Sequence, residues 1–247
     1  EHPLVHVSHG ATISGVSGYV GSFVTTVRSE GRVKTIRHGV TILATGADEH
    51  RPTEYLYGED ERVLTQLELE ERIGQGAAGG LAGARAVAMI QCVGCRTKDR
   101  NYCARVCCSQ AIKNAIQLKK LKPDREIYIF FRDMRTYGFK EDVYREAADR
   151  GVRFVRWEPT DGPRVEVAEN DGRPVLRVTA PDPILRRRLA VDVDLLVLST
   201  AVVPSAGGPE VARQFKVAMN PDGFFQEAHV KLRPVDAAGD GVFLCGA

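Results

Sequence analysis

Five of the six cysteines of this 247-residue chain fall between Cys92 and Cys108. They lie in the run Cys92-Val-Gly-Cys95-Arg-Thr-Lys-Asp-Arg-Asn-Tyr-Cys103-Ala-Arg-Val-Cys107-Cys108. Adjacent cysteines such as Cys107 and Cys108 do not readily share an unstrained disulfide. A helical turn between Cys103 and Cys107 would bring those two thiolates onto one face, near Cys108. Several soft thiolates aimed at one point suggest a metal, with an iron-sulfur cluster as the first expectation. Zinc could use four of the five, since Cys92-x-x-Cys95 is an ordinary knuckle spacing, but the adjacent pair suits a single tetrahedral ion less naturally. A redox dithiol or plain buried thiols are the remaining alternatives. Cys245 stands alone beside a strand end and reads as a small buried hydrophobe.

A second chemistry is suggested by two apolar strands that end in small residues. Gly39-Val-Thr-Ile-Leu-Ala44-Thr45-Gly46 is one, and Asp240-Gly-Val-Phe-Leu-Cys-Gly246 is its partner. In flavoproteins with two dinucleotide folds, strands of this kind pass close to the flavin nucleotide. Small residues at their ends permit a tight turn beside the cofactor. One such strand is a weak signal; a pair flanking a nucleotide-like insert makes a flavin the expected ligand.

The elements that must position these residues follow from periodicity. Leu4–Val7, Phe23–Val27 and Val40–Leu43 read as strands of a meander. A helix is expected over Leu64–Ile73, and residues 74–83, with Gly79-Gly80, resemble a linker. From Ala84 onward the order is strand (Ala86–Ile90), helix (Ala104–Leu121, stopped by Pro123), strand (Ile127–Phe131), helix (Glu141–Arg150) and strand (Val152–Trp157). Such an alternation demands a parallel sheet with crossover helices. Arg164–Ala168 and Val175–Thr179 flank Asn170-Asp171-Gly172, a hairpin signal, and Asp194–Ser199 is one more apolar strand. In a dinucleotide-binding unit a glycine-rich turn would follow the Ala86 strand; here cysteines occupy it, which argues against NAD(P) binding there.

Hydrophobic residues are 43% of the chain, charged residues 27%, and the net charge is +2. This is the composition of a globular protein, and it gives no argument for nucleic acid as a partner. No apolar run approaches the roughly 20 residues of a membrane span, so a cytoplasmic setting is expected, where clustered cysteines more often bind metal than pair. Arg186-Arg-Arg188 reads as a solvated turn, and His2, His6 and His9 as polar positions of a strand and loop. The first residue is Glu1, and a piece of a longer polypeptide is expected.

Met89-Ile-Gln-Cys-Val-Gly94 followed by Tyr102-Cys-Ala-Arg-Val-Cys-Cys-Ser-Gln-Ala-Ile-Lys-Asn-Ala115 closely resembles the family of heterodisulfide reductase A subunits, which carry the FAD and iron-sulfur groups of those enzymes. Val16–Phe23, Arg135-Thr-Tyr-Gly138 and Asp222–Asp236 resemble it as well. The resemblance implies that Cys92, Cys103, Cys107 and Cys108 hold a 4Fe-4S cluster next to FAD, with Cys95 standing where the family usually has serine. It also puts Lys113 at the family's lysine close to the flavin ring. The implied fold class is α/β: a thioredoxin-reductase-like flavoprotein with two dinucleotide folds. Residues 1–83 would be the C-terminal part of the FAD domain, 84–200 a Rossmann-like insert with the cysteines, and 201–247 the return to the FAD domain. The implied function is electron transfer within a heterodisulfide-reductase-like oxidoreductase. Partners would be other subunits of that complex and ferredoxin or hydrogenase-type electron donors. The alternative is a non-catalytic relay or scaffold subunit of a quinone-interacting complex. The family's Gly-x-Gly-x-x-Gly turn and its ferredoxin-like cysteine runs are not in this sequence.

Overall fold

The computed structural model describes residues 2–184 and 186–246, the side chains of Ala77 and Ala78 excepted. In chain order the strands and helices are β1 (Ala11–Ser17), β2 (Phe23–Ser29), β3 (Arg32–His38), β4 (Thr41–Leu43), β5 (Ala47–Glu49), β6 (Val63–Thr65) and α1 (Gln66–Gly74). Then come β7 (Ala86–Val93), α2 (Cys107–Leu121), β8 (Glu126–Phe131), α3 (Lys140–Asp149), β9 (Val152–Arg156), β10 (Arg164–Asn170), β11 (Arg173–Asp182) and β12 (Arg187–Val193). β13 (Leu195–Thr200), β14 (Val202–Pro204), α4 (Gly208–Phe215) and β15 (Val242–Leu244) complete the chain. It divides into two compact units: residues up to 48 with those from 203 onward, and residues 49–202.

The continuous unit is built on a five-stranded sheet in the order β6-β13-β7-β8-β9. Each neighbouring pair in it is parallel. Parallel strands are covered on both faces and so read as unbroken apolar runs; Leu195–Thr200 is buried at all six positions. One face packs Val87, Met89, Ile127, Ile129 and Val197 against Ala111, Ile112 and Ala115 of α2. The other packs Ala88, Ile90, Phe130 and Leu198 against Leu176, Val178 and Val191 of the antiparallel β10-β11-β12 sheet. The hairpin signal is met by Asp171 and Gly172, at φ of 50° and 74°, turning β10 into β11. Counting from β7, the strands β9-β8-β7-β13 stand in the 3-2-1-4 order of half a doubly wound nucleotide fold.

The continuous unit begins at Glu49, not near Ala84, because β6 hydrogen-bonds to β13 at the sheet edge. The expected helix over Leu64–Ile73 begins at Gln66, after a capping box: Thr65 Oγ1 accepts from the Glu68 N–H at 3.3 Å, and Glu68 accepts from the Thr65 N–H at 2.8 Å. The expected linker is fastened down: Leu81 is buried, and the carbonyls of Leu81 and Ala84 accept from the Arg125 guanidinium at 2.6 and 2.8 Å. A third strand, β12, follows the hairpin and takes in Arg187 and Arg188, so only Arg186 remains in the turn.

In the other unit β1, β2 and β3 form an antiparallel meander, and β4 pairs in parallel with β15. Phe23, Leu43, Phe215, Val217, Ala237 and Val242 make its core. Helix α4 is tied to β1 by Gln214 Nε2, which donates to the Ile13 carbonyl at 2.9 Å. Leu4–Val7 is not a strand; Leu4, Val5 and Val7 are largely exposed and the segment has no neighbouring strand to bond. An apolar run without a ladder partner does not hold the extended form in water.

Candidate functional site

The thiols gather at the carboxyl end of β7 and the amino end of α2. Cys92, the next-to-last residue of β7, has φ of 66°, and Arg96 and Arg105, at 56° and 63°, also occupy the left-handed region. Such conformations are costly for residues with a Cβ and concentrate where function requires them. Helix α2 starts at Cys107, not at Ala104 as the sequence suggested, because Arg105 is left-handed and the Val106 N–H turns back to the Ala104 carbonyl at 2.7 Å. Cys103 therefore lies on the loop, where its Sγ accepts from the Arg105 N–H at 3.3 Å. No side chain caps the start of α2, so its first amides gain no acceptor from the N-cap Val106. Cys95, Cys107 and Cys108 are buried, Cys92 and Cys103 half-buried, and all are free.

The thiols are electrostatically differentiated. A hydrogen bond from Cys95 brings the Cys92 thiol down to about 6 against the opposing effect of burial, helped by the guanidinium groups of Arg96 and Arg132. A hydrogen bond from Cys107 likewise lowers Cys108 to about 7. The donors Cys95 and Cys107 are pushed up by the same bonds and by burial. Arg96 spans the site, with Nη1 4.0 Å from Cys92 Sγ and Nη2 2.7 Å from Asp133, while Cys108 Sγ lies 3.8 Å from the Asp133 carbonyl. The His50 ring covers Gly94: a Cβ there would fall 2.2 Å from its Cδ2. Among the described residues no three Cys, His, Asp or Glu side chains stand in an arrangement that could hold a metal ion. The donor chemistry nonetheless fits a soft metal. The thiols are free, two are acidified, arginines surround them, and the buried Gln91 carboxamide beside Cys92 has neither end bonded.

In the discontinuous unit, Leu43 lies opposite Leu244, and the Cys245 N–H donates to the Leu43 carbonyl at 2.9 Å. The turns Ala44-Thr45-Gly46 and Cys245-Gly246 therefore leave side by side from the carboxyl ends of two parallel strands, the end at which open α/β folds present ligands. Ala44, Thr45, Gly46 and Gly246 are exposed, with Gly46 and Gly246 at φ of 67° and 100°. Thr45 and Gly46 also line a small depression with Pro204, Ser205, Gly208, Gly223, Phe224 and Phe225. Cys245 is exposed, not the buried hydrophobe expected, because it already lies beyond the three-residue strand.

Lys113 projects from α2 toward α1 and pairs with Glu70 at 2.7 Å. It also lines a cavity of about 260 Å³ with Ser109, Ile112, Thr136, Lys140 and Val143. Burial would raise the Glu70 carboxyl, but the hydrogen bond from Lys113, with those of Gln110 and Asn114, brings it below its ordinary value. Arg96, Arg132, His50 and Gln91 were not marked by the sequence. Gln91 carries the one available signal, a polar residue inside an apolar strand run.

No family model matches the chain. It is 37% identical over 228 residues to the A subunit of the H(2):CoB-CoM heterodisulfide,ferredoxin reductase of Methanothermobacter thermautotrophicus. It is 38% identical over 224 residues to an iron-sulfur A subunit of the CoB–CoM heterodisulfide reductase of Methanopyrus kandleri. Each match covers 85% of this chain and 33% of the relative, so the chain spans about a third of the length of these relatives. The thioredoxin reductase of T. acidophilum superposes with a TM-score of 0.53 at 12% identity, over 96% of this chain and 65% of that one. This likeness shows the fold: α/β, of the thioredoxin-reductase type. The resemblance carried by the cysteine run holds along most of the chain, which is a relative of part of the heterodisulfide reductase A subunits.

Proposed function

We propose that the chain is the FAD and 4Fe-4S electron-transfer segment of a heterodisulfide-reductase-like oxidoreductase. Cys92, Cys103, Cys107 and Cys108 would hold the cluster, and the turns Ala44–Gly46 and Gly246 would approach the flavin. The observation that carries this reading is the gathering of free, acidified thiols at the carboxyl end of β7, in a chain similar to an iron-sulfur subunit of heterodisulfide reductase. A flavin exchanges electron pairs and single electrons, whereas a cluster passes single electrons. The protein's part is to hold these groups and tune them. Arg96, Arg132 and the uncapped start of α2 would offset the negative charge of a thiolate-bound cluster. Lys113 would stabilise negative charge on the reduced flavin. The acceptor would be a disulfide, and the electrons would come through other subunits from ferredoxin or a hydrogenase-type donor, in a cytoplasmic complex.

The test is the iron, acid-labile sulfide and flavin content of full-length protein purified without oxygen. Brown protein containing iron, sulfide and FAD is expected. Cys107→Ala or Cys108→Ala should lose iron and sulfide together, because no oxygen ligand replaces a thiolate well in a soft site. Cys95→Ser should keep both. Retention of the full iron content in Cys107→Ala would overturn the ligand set.

A further inference from the structure

The structure assigns Gln91 a role toward the cluster: we infer that its side-chain amide donates an N–H···S hydrogen bond to the cluster held by the cysteines and so raises its potential. This rests on the cluster reading above. Gln91 is 1% exposed, and among the described residues neither its Nε2 nor its Oε1 has a hydrogen-bond partner. A buried carboxamide left unbonded at both ends costs about 1–3 kcal/mol per group, so a polar residue persists there only if something engages it.

What engages it follows from the register of β7. Alternate strand residues share a face, so Gln91 points to the side of Met89, away from Ala88 and Ile90. Met89 faces the helices: its Sδ lies 3.6 Å from Gln66 Nε2, and Gln66 in turn accepts from Asn114 of α2 at 2.8 Å. In a parallel crossover the helix runs against the strands, beginning over their carboxyl ends. Gln91 lies two residues beyond Met89, about 7 Å further toward that end. Measured back along α2 from Asn114, the same distance is about four or five residues and reaches the helix's first turn. That turn carries Cys107 and Cys108, both buried, and Cys92 follows Gln91 directly in the chain. The amide is thus enclosed at the level of the thiols, where sulfur is the acceptor that cluster assembly supplies. Hydrogen bonds to cluster sulfur favour the reduced, more negative state and are one of the determinants of cluster potential.

The experiment compares full-length protein and its Gln91→Met variant, which keeps the length and removes the donor. Iron and sulfide are assayed first, and the cluster midpoint is then measured by EPR-monitored redox titration. Unchanged iron and sulfide with a lower cluster midpoint is the expected result. An unchanged midpoint in a fully loaded variant would overturn the inference and leave the cluster reading intact. Iron and sulfide missing from the unsubstituted protein would overturn both. Should the variant fail to fold or load, pulsed EPR of unsubstituted protein grown with glutamine labelled with ¹⁵N in the side-chain amide decides. A side-chain ¹⁵N coupling to the reduced cluster supports the bond, and its absence overturns it.

Discussion

A thiol's chemistry is set by what it touches, and here neighbouring cysteines divide the labour of donor and acceptor. Cys92 and Cys108 are acidified because Cys95 and Cys107 donate to them. The spacing of these cysteines was readable from the chain; the left-handed turns at Arg96 and Arg105 that bring guanidinium and amide groups to them were not. Positive φ in a residue with a Cβ leaves no compositional trace. Lys113 is the residue whose proposed role is most exposed to test. More than half of its side chain is in solvent and Glu70 already pairs with it, so its field is screened. Lys113→Met should lower the flavin midpoint by no more than about 30 mV, equivalent to about 1.4 kcal/mol in a two-electron couple. A flavin redox titration with both cofactors present measures it, and an unchanged midpoint would leave Lys113 a surface partner of Glu70. Glu49 supplies a pH test. Burial raises its carboxyl above the ordinary value, outweighing the hydroxyl donors of Thr65 and Thr200 and the charge of Arg51. A raised carboxylate favours the folded state below its unfolded value of about 4.3 and loses that contribution as pH rises through the folded value. Glu49→Gln should therefore raise thermal stability at pH 7 relative to the parent and lose the advantage toward pH 4, as followed by melting temperature against pH.

Among the elements, the strands and crossover helices between Ala86 and Trp157, and β13 beyond them, were legible because each carries a clear pattern: apolar runs for β7, β8 and β13, 3.6-residue spacing for α2. β6 was missed as a separate strand since three residues carry no period, and its identity comes from pairing in register with β13, whereas β15 was readable from its apolar run and pairs in parallel with β4. The segment 74–83 misled for a related reason. Glycine composition signals a linker, but what fixes that segment is a side chain distant in sequence. Arg125, 2% exposed, donates to the carbonyls of Leu81, Ala84 and Leu118 and so joins the entry to β7 to the last turns of α2. Burial lowers the guanidinium from a value so high that it remains charged. Replacing it strands three buried acceptors and removes most of a large side chain. Arg125→Leu should destabilise the protein by about 3 kcal/mol. Urea denaturation checks this: the midpoint should fall with little change in slope, and a shift below about 0.5 kcal/mol would mean that the clamp is redundant.

At the scale of the whole molecule the chain leaves one compact unit at residue 48 and returns to it at 203. The sequence placed an insert here from the order of its strands, but set its start near Ala84 because residues 74–83, with Gly79-Gly80, read as a linker. The cores make the division physical. Both cores of the parallel sheet draw only on residues between 49 and 202, and the core around Phe23, Leu43, Phe215 and Val242 draws only on the flanking segments. A segment of about 150 residues buries roughly 68–70% of the surface its unfolded chain exposes, enough for independent stability. A fragment of residues 49–202 should therefore fold alone, with a single cooperative urea transition and mixed helix and strand by circular dichroism. Residues 1–48 alone should not fold, because β4 would lack β15 and Phe23 would lack Phe215. The fragment also contains all five clustered cysteines. Under the proposed reading it should take up iron and sulfide anaerobically without binding FAD, since the turns at Gly46 and Gly246 are left behind. Iron uptake that requires the flanking segments would show that the cysteine unit depends on the other unit to assemble its site.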